Sequence, residues 1–295
     1  MFKIAILGTE NSHARAFCNL IYKGDKSNGF VPYADFEVIG LCGDSREENE
    51  LLREITGGKA EISDNGDKWV DEVDAIMVTA RHGGKHLAYA KKYIEAGKPA
   101  FIDKPITISK EDALELVRIA KKNNVPLCGG SSLGAIEDTA KAKALRNNDE
   151  KMQRVYGGSV CAPINMKNEW GDFFFYSQHL VQIMTEVFGH DVKSILGVSR
   201  EDAATFIARY ADYDVTGHFG SYAYAATIYA KSEVHHVNLS LDNAYLNEFR
   251  RFEHMVRTGG MPELYEELIT PVFILNAIKE ALDTGKEVEV RKPVI

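Results

Sequence analysis

The run Gly8-Thr9-Glu10-Asn11-Ser12-His13 follows the apolar stretch Lys3–Leu7 and leads directly into a segment of helical periodicity. A tight turn at a helix N-terminus presents unpaired backbone N–H groups and the positive end of the helix dipole, a setting that suits a pyrophosphate. Of the pattern G-x-G-x-x-G only Gly8 is present, because Glu10 and His13 occupy the second and third glycine places. A carboxylate beside phosphate implies a re-routed loop or weaker binding, and the same residues equally suit a plain strand–helix turn capped by Ser12. The next strand ends in Gly43-Asp44-Ser45-Arg46. An acidic side chain there is placed to accept hydrogen bonds from an adenosine ribose. Asp44 lies 36 positions beyond Gly8, an excess that a polar insertion over Lys23–Asp35 accounts for. Asp44 disfavours a 2′-phosphate and Arg46 could pair with one, so NAD is slightly favoured and NADP stays open.

The elements that must position these residues are legible from periodicity. Up to about residue 128, strand-length apolar runs (Lys3–Leu7, Phe36–Leu41, Asp74–Thr79, Ala100–Ile102, Val125–Cys128) alternate with helical segments, the grammar of βαβ units around a parallel sheet. Ala14, Phe17, Cys18 and Ile21 fall at i, i+3, i+4, i+7 and form one apolar stripe. Ser109 with Asp112 forms an N-terminal capping pattern, and Gly97 stops the helix Lys85–Ala96. A connecting helix near Gly134–Asn147 follows. Strands then succeed one another at Arg154–Ala162, Lys193–Val198, Ala204–Tyr210, Ser221–Ala230 and Glu233–Leu241, as in an antiparallel sheet. Helices over Asn243–Val256 and Glu263–Asp283 and a short strand Glu287–Val290 complete the pattern. The expected fold is α/β: a doubly wound Rossmann unit over residues 1–128, then an α/β unit over 129–295 with an open, mainly antiparallel sheet, whose final helix and strand pack back towards the first.

Composition narrows the function. The 295 residues carry 35 Lys+Arg against 43 Asp+Glu, a net charge of −8, which disfavours nucleic acid and anionic lipid. No apolar run reaches bilayer length and the first residues read as a strand, so the chain is expected in the cytoplasm, away from membranes. Cys18, Cys42, Cys128 and Cys161 are too scattered for a zinc site and read as reduced thiols. Adjacent His235 and His236 point to opposite faces of a strand, so no metal is expected.

The sharpest motif is Ala96-Gly-Lys-Pro-Ala-Phe-Ile-Asp103-Lys104-Pro105. It resembles the E-K-P signature, with Asp for Glu, of the glucose–fructose oxidoreductase and inositol dehydrogenase (Gfo/Idh/MocA) family. Asp74–His86, Glu248–Phe252, Arg257–Gly260 and Thr284–Val290 resemble further segments of that family. The resemblance spans nearly the whole chain and is weakest over residues 150–240. It implies a Rossmann domain, a second domain that forms homo-oligomers, and hydride transfer between NAD(P) and a carbohydrate-like alcohol. It assigns Lys104 to the reacting oxygen, in accord with the charge an ammonium can stabilise there, and it implies a cis Lys104–Pro105 bond. Thr79, Ala80, His82, His86, Asp103 and Pro105 fall beside the cofactor by the same likeness; Arg81 and His82 come close to the ribose or nicotinamide without a specified contact.

The family's proton acceptor is a His four residues after an Asp. His179 matches it, while Phe175 holds the Asp place and Gln182 another often acidic one. Asp172 and Tyr176, seven and three residues before His179, lie on the same helix face and stand as substitutes. The bland alternative makes His179 a packing residue. The leading expectation is an NAD(P)-dependent oxidoreductase acting on a sugar, polyol or related alcohol or ketone, with Lys104 and His179 catalytic. The alternatives are an NAD-dependent glycoside-cleaving relative with no net redox change and an eroded sensor or scaffold that binds without turnover.

Overall fold

The computed structural model describes residues 1–24 and 30–295, so part of the Lys23–Asp35 insertion lies outside the described residues. Six strands form the first sheet: β1 (Phe2–Leu7), β2 (Phe36–Cys42), β3 (Glu61–Ile62), β4 (Ala75–Val78), β5 (Ala100–Asp103) and β6 (Leu127–Gly130). Their spatial order is β3-β2-β1-β4-β5-β6 and every pairing is parallel. Strands buried on both faces read as unbroken apolar runs, and all four residues of β4 are fully buried. This is the doubly wound order, whose switch point lies between β1 and β4.

Helices α1 (Ser12–Tyr22) and α2 (Arg46–Ile55) cover one face; α3 (His86–Glu95) and α4 (Lys110–Asn123) cover the other. Ser109 caps α4, its Oγ accepting from Asp112 N–H at 3.1 Å. The cap of α1 is Asn11, not Ser12: Asn11 Oδ1 accepts from His13 N–H at 3.3 Å, with Asn11 in extended backbone. The cap falls one residue earlier because the turn leaves Ser12 already helical.

Beyond β6 the chain runs through α5 (Glu137–Arg146) and α6 (Asp149–Met152) into β7 (Val155–Ala162) and then α7 (Phe173–Phe188). Strands β8 (Ser194–Ser199), β9 (Ala204–Arg209), β10 (Asp214–Phe219), β11 (Ala225–Ala230) and β12 (Val234–Asn238) complete the second sheet together with β13 (Val288–Glu289). Its order is β12-β11-β7-β10-β9-β8-β13, antiparallel except for a parallel β7–β10 pair. Three expectations are corrected here. Strand β10 was not foreseen, and the strand expected over Ser221–Ala230 begins only at Ala225. The strand expected over Glu233–Leu241 is confined to Val234–Asn238.

The last two helices, α8 (Ala244–Thr258) and α9 (Tyr265–Thr284), return to the first sheet. Leu246, Phe249, Phe252 and Met255 of α8 join the core beneath α1, while Leu268, Ile269, Val272 and Phe273 of α9 join the core beneath α3 and α4. The rest of α9, from Ile274 to Leu282, packs with α7 under the second sheet. No helix among the described residues is long and apolar enough to cross a membrane.

Candidate active site

The C-terminal edge of the first sheet places two connections side by side. The turn after β1 and the start of α1 contribute Asn11 and His13; the end of β5 contributes Asp103. Asp103 is fully buried and accepts from Asn11 Nδ2 at 3.0 Å and from the Lys104 N–H at 2.6 Å, and its Oδ2 lies 2.7 Å from His13 Nδ1. One carboxylate therefore fixes both the helix start after β1 and the backbone that carries Lys104.

Lys104 is itself only 3% exposed. The Lys104–Pro105 bond is cis. Its Nζ donates to the Phe175 carbonyl oxygen at 3.2 Å and sits 4.1 Å from the centre of the Phe175 ring and 5.1 Å from that of Tyr176. Phe175 thus meets the ammonium with a π face instead of a carboxylate, a weaker partner. Burial pushes the Lys104 ammonium below its ordinary pKa, with Asp103 and Glu248 opposing.

His179 projects from the same face of α7, edge-on to Tyr176 and Tyr224 at 5.4 and 5.9 Å. Its Nδ1 lies 2.7 Å from Ser131 Oγ, and that Oγ accepts from the Leu133 N–H at 3.2 Å. Burial, then the nearby Lys104 and His13 charges, hold His179 well below the usual histidine range, so the ring is neutral at neutral pH. Helix α7 is registered against the lysine turn by Gln178, whose Oε1 accepts from the Ile106 N–H at 3.0 Å. Ser131, immediately after β6, was not singled out from the sequence; its position at the C-terminal end of a parallel strand was the available signal. Tyr176 packs beside His179 and Lys104 through its ring. Asp172 does not: its Oδ1 accepts from the Asn168 N–H at 2.9 Å, bracing the loop before α7. Two helical turns separate it from His179, and its backbone, at φ +50°, belongs to the turn.

A cavity of about 440 Å³ opens over these groups, reached by Asn11, His13, Lys104, Tyr176, His179 and, from the loop after β4, Arg81. Most of the residues expected beside a cofactor lie outside that lining. Among the described residues, the N–H groups of Glu10, Asn11 and Ser12 donate to no protein acceptor, which leaves the donors a pyrophosphate needs. Glu10 folds inward: Oε1 accepts from the Arg81 N–H at 3.3 Å, and Oε2 is buried with no partner beside Gly43. The carboxylate is thereby turned off the helix axis, and its orphaned oxygen suits a ribose hydroxyl. These residues fit a dinucleotide.

Thr79 Oγ donates to the Gly8 carbonyl at 2.9 Å, and Ala80 packs where a side chain on Gly8 would stand. Thr9 Oγ is bonded to Asn49, which also donates to the Gly43 carbonyl at 3.0 Å. Asp44 is ion-paired with Lys85 and largely exposed, Ser45 caps α2 through the Glu48 N–H at 3.2 Å, and Arg46 opens that helix. His82 Nδ1 accepts from the Gly84 N–H at 3.1 Å. His86 departs from the expectation that it lies beside the cofactor. It is fully buried, its two ring nitrogens 3.1 and 2.8 Å from the Ile106 and Ala80 carbonyl oxygens, so it ties the β4 and β5 loops together from below.

Residues 2–130 match the family model GFO_IDH_MocA, described as an oxidoreductase family with an NAD-binding Rossmann fold. A 100-residue stretch is 33% identical to an uncharacterized oxidoreductase of Streptococcus pneumoniae serotype 4, covering 33% of this chain and 26% of that protein, about a quarter of its length. Over its whole length the chain is similar to the solved structure of myo-inositol dehydrogenase from Lactobacillus casei in complex with NAD(H) and myo-inositol (TM-score 0.84, 12% identity, 100% and 98% of the two chains). It is equally similar to GenD2 from gentamicin A biosynthesis in complex with NAD (TM-score 0.84, 14% identity, 98% and 96% covered). At these identities the likeness is one of fold.

Proposed function

On the match of residues 2–130 to the Gfo/Idh/MocA oxidoreductase family model, we propose that this chain is an NAD-dependent dehydrogenase of a carbohydrate-like secondary alcohol. The bound dinucleotide supplies the hydride acceptor at its nicotinamide. The free N–H groups of Glu10, Asn11 and Ser12 hold the pyrophosphate, Glu10 or Asp44 takes the adenosine ribose, and the residues up to about 128 form the nucleotide-binding unit. Lys104 donates to the substrate oxygen and stabilises the negative charge that develops there as the proton leaves. His179 takes that proton at Nε2, which requires the tautomer whose Nδ1–H points at Ser131 Oγ.

The observation that carries this reading is the Asp103 junction, which joins the cofactor turn to Lys104 through bonds of 3.0 and 2.6 Å. Phe175 in place of an acid favours the second reading, binding without turnover. Ser131 opposes it, because a hydroxyl 2.7 Å from Nδ1 can orient the ring without a carboxylate. Thermal unfolding with and without NAD and NADP, from protein stripped of nucleotide, tests the first step. A ligand at 100 times its Kd adds about 2.7 kcal/mol, a shift of several degrees. A shift with NAD followed by NADH formation with a polyol or sugar supports the dehydrogenase; a shift without turnover of any alcohol or ketone supports the sensor; no shift refutes both.

A further inference from the structure

Resting on the dehydrogenase reading, we propose that the substrate is a sugar acid, and that Arg81 receives its carboxylate while Lys104 holds the reacting hydroxyl. Among the described residues, the cavity lining includes the cations Lys104 and Arg81 and no Asp or Glu. A site built for a neutral polyol needs acceptors for hydroxyl protons, and carboxylates are the strongest of these. Of the two acids that act on Lys104, Asp103 and Glu248, both are buried and neither lines the cavity, and Asp103 already accepts from Asn11 and from the Lys104 N–H.

Arg81 is held ready for an anion. Its guanidinium lies over the Trp170 indole, 4.6 Å from the ring centre, and the Trp170 backbone N–H donates to Asn168 Oδ1 at 2.8 Å, which anchors the loop that carries the ring. Stacking uses the flat face of the guanidinium and leaves its in-plane N–H donors free to grip a carboxylate in fork geometry. Among the described residues no carboxylate forms an ion pair with it: Glu10, the nearest in the loop, accepts from the Arg81 backbone N–H and turns its other oxygen towards Gly43. Two cations sharing one partly dry cavity repel each other, and an anionic ligand relieves that repulsion. The same Trp170, with Tyr176 and Tyr224, offers apolar faces to the C–H faces of a sugar ring. The carboxylate is a spectator in the reaction: the alcohol carbon gives up a hydride to the nicotinamide, the hydroxyl proton passes to His179, and a keto acid and NADH result.

The test is calorimetric binding of matched pairs, glucose with glucuronate or gluconate and galactose with galacturonate, to the NAD-loaded protein, with NADH formation as a second readout. In the wild type at least one acid is expected to bind about 10- to 100-fold tighter than its neutral partner, the range of a charge-assisted fork. In Arg81→Gln that ratio falls towards one; in Arg81→Lys, which keeps the charge and loses the fork, it lies between. The inference is overturned if the neutral members bind as well or better, if no acid binds, or if Arg81→Gln keeps the ratio. It is also overturned if Arg81→Gln weakens NAD instead, which would assign the guanidinium to the cofactor. Failure of the parent reading is distinct, since wild-type protein would then take up no NAD before any sugar is added.

Discussion

Replacing Ser131 by Ala deletes the oxygen 2.7 Å from His179 Nδ1 and the acceptor of the Leu133 N–H. The site is buried, so the Nδ1–H loses its acceptor without gaining water. An unsatisfied buried donor costs about 1–3 kcal/mol, and each 1.36 kcal/mol is a factor of ten. The tautomer with Nε2 free therefore loses roughly 5- to 150-fold in population relative to its alternative. In that alternative the ring turns an N–H into the cavity and cannot accept the substrate proton. Long-range 1H–15N correlation of the imidazoles reads the tautomer directly and needs no substrate. The wild type should show His179 protonated at Nδ1 and neutral well below pH 6.5; the variant should show a mixture or the other form. With a substrate in hand, kcat should fall by the same factor with KM little changed, and Ser131→Thr should restore it. A wild-type His179 protonated at Nε2, or an Ala variant of unchanged tautomer and rate, would refute the positioning role.

Three further outcomes are expected. Gly43→Ala drives a methyl to 2.1 Å from Thr9 Oγ and 2.9 Å from Glu10 Oε2; it should displace the cofactor turn and weaken NAD at least about tenfold by titration, at a stability cost of about 1–3 kcal/mol. Asp103→Asn replaces an acceptor by a donor facing Asn11 or the Lys104 N–H; unfolding should show a loss of about 2 kcal/mol, several degrees in Tm, together with weaker NAD binding. Glu263, whose side chain is 8% exposed, has its carboxyl raised from 4.5 to about 7, by burial first and against the pull of Arg251. A raised acid stabilises the fold below its unfolded pKa and loses that contribution as pH climbs through the folded one. Denaturant titrations should find wild type losing about 3 kcal/mol relative to Glu263→Gln between pH 4.5 and 7; parallel curves would show that Glu263 does not titrate there.

The first half of the fold was readable because its strands are buried on both faces and need no alternation, as in the four consecutive buried residues of β4. The second sheet was less so. In β10 the inward positions are Val215, Gly217 and Phe219, and Gly217 hides the alternation; it is glycine because the Phe206 ring lies 2.1 Å from where its Cβ would be. The site divided along similar lines. Asp103, Lys104 and His179 belong to short motifs and could be named, whereas Ser131 went unnamed and Arg81 had no specified contact, because both depend on which side chains face them across 48 and 89 positions of chain (Ser131 to His179, Arg81 to Trp170). Asp172 shared a helix face with His179, but its backbone was spent on the turn. Nothing in a one-dimensional pattern records that expenditure.

The return of α8 and α9 to the first sheet sets an order on how the protein can be made. During synthesis the strands up to Gly130 emerge first, yet both faces of their sheet lack helices that lie more than a hundred residues downstream. Leu268, Ile269, Val272 and Phe273 fill one face while the same helix, from the next residue Ile274, enters the other core. The first sheet must therefore wait on the ribosome with apolar surface uncovered, a state open to chaperones and to aggregation. Once α9 docks, one rod of 20 residues is shared by two cores, so heat or denaturant should release both in a single cooperative transition instead of one after the other.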